Sequence, residues 1–278
     1  MPLAMMEHLL YDASKNKRAV GAFNIANMEV LIGVIKAAEY LDTPVIIQIA
    51  EKRLTHSPLY LLGPMMVNAA KKSKVDIAIQ LDHGSSLNII NEAIEYGFTS
   101  VMYDGSHLSI EENIKNTNII YKHVKDKGVN LEAEIGVLSG NEGGGDMKEI
   151  CTNPKEALYF YENAKFDALA IAIGNAHGHY NGEPKLNFEI LNEIHNSVDS
   201  FLVLHGGTGI SDEHFKKAIS LGISKINIAT ANFDAIINAS SDYFSKEKEY
   251  NYFSLNEKIV EKVFEITTKH INIFNNKI

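Results

Sequence analysis

Cysteine and clustered basic charge are scarce in this chain. Among its 278 residues there is one cysteine, Cys151, so no internal disulfide can form. Cys151 comes just before residues 152–154, Thr-Asn-Pro, a pattern that predicts the turn into a helix, and we interpret its thiol as incidental rather than nucleophilic. Acidic residues outnumber lysine and arginine by 35 to 26, which gives a net charge of −9. This balance argues against nucleic acid or an anionic membrane surface as a partner, because both need clustered cations.

Long apolar runs and linkers are also missing. No stretch approaches the ~20 consecutive apolar residues of a membrane span. The start of the chain lacks the basic-then-apolar order of a signal peptide, so we expect a cytoplasmic protein. With 45% hydrophobic residues and no low-complexity tract, residues 1–278 are expected to form a single domain.

Strand-like and helix-like stretches alternate along the chain. The predicted strands are 20–25, 45–49, 76–81, 100–103, 130–135, 167–173, 201–204 and 225–228. Helices are predicted between them, with a kink or break at Gly63-Pro64, and residues 233–278 form a C-terminal helical extension. Eight such repeats predict a (β/α)8 TIM barrel. The alternative, a doubly wound sheet, needs a glycine-rich turn after the first strand, and residues 24–27 contain no glycine.

Polar residues stand at the carboxyl ends of five predicted strands. They are His83, Asp104, Glu134, His177 and His205. Each histidine alone could be a hydrogen-bonded structural residue. Three imidazoles meeting at one mouth of a barrel instead match the three-histidine geometry of a catalytic zinc site, and imidazole suits zinc better than magnesium or calcium.

Two choices remain around these histidines. Within residues 172–180, His177 is the preferred ligand, and His179 is expected nearby, outside the ligand set. Asp82, next to His83, is the candidate proton-transfer group, because burial and a neighbouring ion can tune a carboxylate for that task. The alternative is that Asp82 caps the following turn.

Two glycine-rich or helix-opening turns are suited to a phosphate. One is residues 205–209, His-Gly-Gly-Thr-Gly, and the other is residues 227–230, Asn-Ile-Ala-Thr. Loops after strands seven and eight of a barrel commonly bind phosphate through backbone N–H groups and helix N-termini. A third loop, 138–146, carries four glycines around Glu142 and would deliver that carboxylate on closing, unless it is a solvated surface loop.

The motifs taken together resemble the class II, zinc-dependent ketose-bisphosphate aldolases, which include fructose- and tagatose-1,6-bisphosphate aldolases. The matching stretches cover nearly the whole chain in order: 22–29, 81–84, 100–107, 131–136, 172–180, 184–189, 204–210 and 225–230.

This resemblance implies a role for each matching residue. His83, His177 and His205 would bind the catalytic zinc, Asp82 would transfer the substrate proton, and Glu142 would be the mobile-loop acid. Asp104 and Glu134 match positions that hold a second cation, divalent or monovalent. The residues implied to bind dihydroxyacetone phosphate are Asn24, Gly178, Gly206, Gly207, Thr208, Asn227, Ile228, Ala229 and Thr230.

Several residues depart from the family pattern. Thr208 replaces the usual serine of the phosphate turn and keeps a hydroxyl donor. Gly143 follows the loop acid where many members have a second acid, and Ala50 stands where some have a serine. Arg18 and Arg53 are the only arginines, so the C-terminal arginine that binds the far phosphate in some members has no counterpart.

The sequence therefore predicts reversible aldol cleavage of a ketose 1,6-bisphosphate by a homo-oligomer, a dimer or tetramer. The alternatives are another phosphorylated ketose as substrate, or a non-catalytic barrel subunit that supports a partner aldolase. A Schiff-base aldolase would need a lysine inside the barrel, and Lys225 is expected to point toward the opposite rim. Metal-dependent hydrolases usually carry a His-x-His pair on the first strand, which residues 24–26 do not contain.

Overall fold

The computed structural model describes residues 3–137, 151–180, 182 and 184–277. In this part of the chain eight parallel strands form a closed barrel, in which each strand pairs with the next and the eighth pairs with the first. The strands are β1 (Val20–Asn24), β2 (Val45–Ala50), β3 (Ile77–Gly84), β4 (Ser100–Tyr103), β5 (Asn130–Ile135), β6 (Ala168–Ile171), β7 (Phe201–Leu204) and β8 (Ile223–Ile228). The predicted TIM barrel is thereby confirmed.

Helices surround this barrel. They are α1 (Met6–Lys15), α2 (Met28–Tyr40), α3 (Leu59–Lys72), α4 (Leu87–Tyr96), α5 (Ile110–Lys125), α6 (Pro154–Asn163), α7 (Phe188–Ser197), α8 (Asp212–Ser220), α9 (Thr230–Lys246) and α10 (Tyr252–Phe274). Helix α9 directly follows β8, and α10 packs against α2 and α9. None of the described helices is both long and apolar enough to cross a lipid bilayer.

Most helices begin where the sequence offers a capping side chain. The Asn27 side chain accepts a hydrogen bond from the Val30 N–H at the start of α2, and Ser109 does the same for Glu112 at the start of α5. Such side chains satisfy backbone donors that have no partner within the helix. These caps therefore fix the residue at which each of the two helices begins.

Helix α3 runs through Pro64 without the predicted interruption. Proline removes one backbone hydrogen bond, here the one that the Tyr60 carbonyl would accept. Tyr60 is exposed, so water can satisfy its carbonyl. The break expected at Gly63-Pro64 is wrong, because the helix is continuous across it, and the kink stays a prediction.

Helix α1 closes the amino-terminal end of the barrel and was not predicted from the sequence. Its buried face carries Met6, Leu9 and Leu10, which pack with inward-facing residues of the strands. Those residues are Val20, Ala22, Ile46, Ala78, Met102, Ala168, Ala170 and Val203. The lower part of the barrel interior is therefore apolar.

The upper part of the interior is polar. Because alternate residues of a strand face the same side, the positions that follow the apolar layer also point to the barrel axis. These buried polar residues are Asn24, Gln48, Gln80, Asp82, Glu132, Glu134, His205, Lys225 and Asn227. The change from apolar to polar along each strand places the chemistry at the carboxyl end of the barrel.

Candidate active site

Asp82 and His83 lie within β3, which extends three residues beyond the predicted end at Leu81. Strand alternation directs Asp82 to the barrel axis together with Gln80 and would turn His83 outward. His83 instead has a φ of +49°, in the left-handed region, and the register of β3 with β4 shifts between Leu81 and Gly84. This local distortion lets two consecutive side chains face the same site.

Three imidazoles meet above the polar interior. His83 comes from β3, His177 from the loop after β6, and His205 directly follows β7. Their ring centroids are 4.8 to 5.7 Å apart, and one nitrogen of each lies within 4.8 Å of the others. His179 lies outside this group, with a side chain 70% exposed and 3.4 Å from an Asp234 oxygen.

Two carboxylates determine which nitrogens face the centre. Asp104 Oδ2 lies 2.9 Å from His83 Nδ1, and Glu132 Oε1 lies 2.8 Å from His205 Nε2. A carboxylate accepts hydrogen bonds, so we assign the N–H of each ring to the nitrogen that faces it. His83 Nε2 and His205 Nδ1 then approach each other at 3.1 Å with their lone pairs.

Two facing lone pairs repel each other, and a proton or a metal ion between them removes the repulsion. The surrounding carboxylates also favour a positive charge here. Burial alone would lower the pKa of His83, but the charge of Asp82, the hydrogen bond to Asp104 and the charge of Glu134 outweigh it and raise the pKa to about 10. Burial and the charge of neighbouring His83 lower the pKa of His177. Burial also lowers the pKa of His205. The three-nitrogen donor set, with hydrogen-bonded carboxylates behind two of its rings, fits a zinc ion.

A second group of donors adjoins the first. His83, Asp104 and Glu134 also bring one ligand atom each within 4.8 Å of one another. Glu134 Oε2 is buried and has no hydrogen-bond partner among the described residues. Burial, followed by the charge of Asp104, raises the pKa of Glu134 well above its usual value. A cation next to these two carboxylates would remove that cost, so the group fits the predicted second cation.

Asp82 is almost fully buried beside the imidazoles and is held by two amides. Asn24 Nδ2 donates to Asp82 Oδ2 at 3.1 Å, and Asn227 Nδ2 donates to Oδ1 at 3.3 Å. Asp82 Oδ1 is 3.9 Å from His83 Nε2. The carboxylate therefore faces the site, contrary to the alternative that it only caps a turn.

A narrow cleft opens beside Asp82 and His177. Nearly all of the residues predicted to bind substrate line it: Asn24, Gly178, Gly206, Gly207, Thr208, Asn227, Ala229 and Thr230. Ile228 is the exception, because its side chain lies in the apolar core behind the strand. Only its backbone is available to a ligand.

The walls of this cleft are built from backbone. Gly206 has a φ of +62°, and a Cβ there would collide with the Ala176 carbonyl oxygen. Thr208 Oγ1 accepts a hydrogen bond from the Ala231 N–H, so the first turn of α9 is tied to the glycine turn after β7. Two loops and a helix N-terminus thus meet in the arrangement that binds phosphate.

Several residues of the site were missed by sequence reasoning. Glu132 supports His205, and Asn175 Nδ2 donates to the His205 carbonyl at 3.0 Å. The Tyr180 hydroxyl donates to the Gly206 carbonyl and accepts from the Ala176 N–H, each at 2.8 Å. For Glu132 a signal existed, since it precedes Glu134 by two residues and therefore shares its face of β5.

Lys225 was predicted to point toward the opposite rim, and this was wrong. Strand β8 begins at Ile223, so Lys225 is its third residue rather than its first, and its side chain is fully buried inside the barrel. Its Nζ lies 2.8 Å from Glu132 Oε2 and 2.8 Å from Asn227 Oδ1.

Glu142, the predicted mobile-loop acid, lies outside the described residues.

Comparison with known proteins agrees with this geometry. Residues 4–277 match the family model described as fructose-bisphosphate aldolase class-II. The chain belongs to the class II fructose-bisphosphate aldolase family. As a class II aldolase it is a carbon–carbon lyase, and the family acts on small phosphorylated sugars.

Relatives of this aldolase align over most of their length. The fructose-bisphosphate aldolase of Staphylococcus aureus is 41% identical over 255 residues, which cover 90% of this chain and 88% of the relative. That of Geobacillus stearothermophilus is 39% identical over 254 residues, covering 89% and 88%. Among solved structures, the YdjI aldolase of Escherichia coli K12 superposes with a TM-score of 0.89 at 36% identity, covering 98% of this chain and 97% of that one.

Proposed function

We propose that this class II aldolase reversibly cleaves a ketose 1,6-bisphosphate, fructose- or tagatose-1,6-bisphosphate, to dihydroxyacetone phosphate and glyceraldehyde 3-phosphate. The observation that carries this proposal is the position of Asp82 between the three imidazoles and the glycine-lined cleft. A metal, a proton-transfer group and a phosphate cradle are the three parts that such a cleavage needs, and here they adjoin.

His83, His177 and His205 would hold a zinc ion, which when bound supplies a Lewis acid for the ketone oxygen. The ring orientations set by Asp104 and Glu132 support this assignment. Asp104 and Glu134 would hold the second cation, divalent or monovalent.

Asp82 would take the proton from the C4 hydroxyl during cleavage and return it during condensation. A proton-transfer group must lie within hydrogen-bond reach of the reacting oxygen and be held in place. The amides of Asn24 and Asn227 meet the second condition, since each donates to a different Asp82 oxygen. Glu142 remains the sequence-based candidate for the proton at carbon.

The residues lining the cleft would bind the phosphate of the dihydroxyacetone half. Backbone N–H groups of Gly206 and the start of α9 are the proposed donors, with Thr208 adding a hydroxyl. The Gly207 N–H already donates to the Asn227 carbonyl at 3.1 Å, so Gly207 would contribute the space left by its missing side chain. Binding energy from this non-reacting phosphate would orient the reacting carbons. In the alternative, another phosphorylated ketose would be anchored by its phosphate in the same cleft.

The decisive experiment compares the cleavage of fructose 1,6-bisphosphate, tagatose 1,6-bisphosphate and fructose 1-phosphate by one purified sample of measured metal content. We expect one bisphosphate to have the highest kcat/KM, activity to disappear with a chelator, and zinc to restore it. Full activity of the metal-free protein would contradict the mechanism, as would covalent trapping of substrate by borohydride. A sample that binds zinc and cleaves none of the three would support the non-catalytic subunit.

His177 and His179 offer a matched pair of variants for that assay. His177→Ala should lose zinc and activity together, because it removes one of three ligands. His179→Ala should retain both, since His179 is exposed and contacts Asp234. Loss of zinc in the second variant alone would reassign the ligand.

Sedimentation of the same sample would test the expected dimer or tetramer. Cell fractionation would test the expected cytoplasmic location.

A further inference from the structure

Lys225 is the one cation among the described residues that is fully buried inside the barrel. It lies below the imidazoles rather than in the substrate cleft, and no step proposed above uses it. Its Nζ is 2.8 Å from Glu132 Oε2 and 2.8 Å from Asn227 Oδ1. A buried ammonium is costly unless its partners are well placed, so its position calls for an explanation.

An ammonium group donates hydrogen bonds and cannot accept them. Asn227 must therefore present its amide oxygen to Lys225, which turns its Nδ2 the opposite way. That Nδ2 lies 3.3 Å from Asp82 Oδ1. With the amide reversed, an oxygen would face the Asp82 carboxylate and the two groups would repel each other.

Lys225 also fixes the position of Glu132, which contacts one of the imidazoles. Its Oε2 receives Lys225 at 2.8 Å and the Gln80 amide at 2.9 Å, and its Oε1 lies 2.8 Å from His205 Nε2. The lysine thus anchors the carboxylate that keeps His205 Nδ1 directed at the centre of the three rings. The chain from Lys225 has two branches. One runs through Asn227, whose Nδ2 lies 3.3 Å from Asp82 Oδ1 and 3.2 Å from His205 Nε2, and the other runs through Glu132 to His205.

We propose that Lys225 is a positioning residue for both parts of the reaction centre: it orients the Asn227 amide toward Asp82 and anchors Glu132 against His205. This inference rests on the proposed function for its Asp82 branch, whereas its His205 branch concerns metal binding alone. It also gives the buried lysine a role that requires no covalent bond to substrate.

Removing Lys225 alone would leave Glu132 as an unpaired buried charge, and the protein could fail to fold. The test therefore uses the double variant Lys225→Met/Glu132→Gln, which removes both charges together. Ser224→Ala is the control. Ser224 precedes Lys225 in β8, and its buried hydroxyl donates to the Leu202 carbonyl of β7, so the variant removes a buried hydrogen bond without touching the chain from Lys225. Thermal unfolding followed by circular dichroism checks that both variants fold.

The His205 branch is read from zinc affinity, measured by competition with a chromophoric chelator. We expect the double variant to bind zinc about 10- to 100-fold more weakly than the unmodified chain, as is typical when the hydrogen-bond partner of a ligand is lost. Ser224→Ala should bind zinc normally. A folded double variant whose affinity stays within about twofold would overturn this branch.

The Asp82 branch is read from kcat at saturating zinc, in the presence and absence of Asn227→Ala. We expect the double variant to lower kcat by about 10- to 100-fold with little change in KM, and to add less than about threefold once Asn227 is already alanine. Equal factors in the two backgrounds would show that Lys225 does not act through Asn227. If the unmodified chain cleaves no ketose phosphate, the proposed function fails, while weakened zinc binding would still support the His205 branch.

Discussion

At the scale of single residues, the site depends on backbone conformations that bring neighbouring side chains to one point. His83 adopts a φ of +49°, which places it beside Asp82 instead of on the opposite face of β3. A non-glycine residue in this region costs about 1–3 kcal/mol and persists only where the surroundings impose it. Here the hydrogen bond of His83 to Asp104 and the shifted register of β3 impose it.

Asp82→Ala is expected to lower kcat by ~10²–10⁴-fold while leaving zinc content near normal, if Asp82 transfers the substrate proton. The reason is that Asp82 contacts Asn24 and Asn227 and is not one of the three clustered nitrogens. Steady-state kinetics and metal analysis on the same sample measure both quantities. Loss of zinc from the variant would instead give Asp82 a structural role.

Gly206→Ala is expected to destabilise the fold and raise KM for the phosphorylated substrate. A Cβ at this position meets the Ala176 carbonyl oxygen, in addition to the strain of a φ of +62°. Gly128→Ala is the matched control, because Gly128 has a φ of +70° and no atom within 4 Å of the added Cβ. Denaturant unfolding should therefore show roughly 1–2 kcal/mol of loss for the control and a larger loss for Gly206. Equal losses would show that the collision is relieved by a small shift.

At the scale of secondary-structure elements, α10 joins the end of the chain to the barrel. His270 on this helix is buried between Phe215 and Phe274, and its Nδ1 donates to the Ile266 carbonyl at 2.8 Å. Burial lowers the pKa of His270 from 6.5 to about 4. The folded chain therefore holds this imidazole neutral at pH values where the unfolded chain would bind a proton.

The contribution of His270 to stability is thus present above pH 6.5 and is lost as the pH falls toward 4. Between pH 7 and pH 4 the free energy of unfolding should decrease by roughly 2–3 kcal/mol on account of this residue. His270→Leu should be less sensitive to pH over the same interval. Urea unfolding of both proteins, each saturated with zinc, measures the difference, and parallel pH profiles would contradict the assignment.

At the scale of the whole molecule, the three clustered histidines connect distant parts of the barrel. His83 belongs to β3, His177 to the loop after β6, and His205 to the end of β7. A ligand that binds only the folded arrangement stabilises it by mass action.

Zinc at about 100 times its dissociation constant should therefore raise the free energy of unfolding by roughly 2.7 kcal/mol. Thermal unfolding at increasing zinc concentration measures this effect. His177→Ala is the control and should respond far less. A melting temperature that does not depend on zinc would contradict the metal site independently of any assay of cleavage.

Much of the fold could be predicted because each repeat carries its own local pattern. Buried parallel strands appear as short apolar runs, and caps such as Asn27 and Ser109 mark the helix starts. Helix α1 was missed because its role, closing the lower end of the barrel, depends on the shape of the closed barrel rather than on its own sequence. The register of Lys225 was missed for a related reason, since strand starts depend on pairing with neighbours.

The sequence by itself determined which residue types stand at the carboxyl ends of the strands: two adjacent polar residues after an apolar run, a glycine turn after His205, and paired glutamates on β5. Periodicity and position along each strand are local properties, so they can be found without coordinates. Only the tertiary structure decided how these groups face each other. The left-handed turn at His83, the choice of ring nitrogens by Asp104 and Glu132, and the inward placement of Lys225 all depend on contacts between residues far apart in the chain. Such contacts arise only once the eight strands close into a barrel.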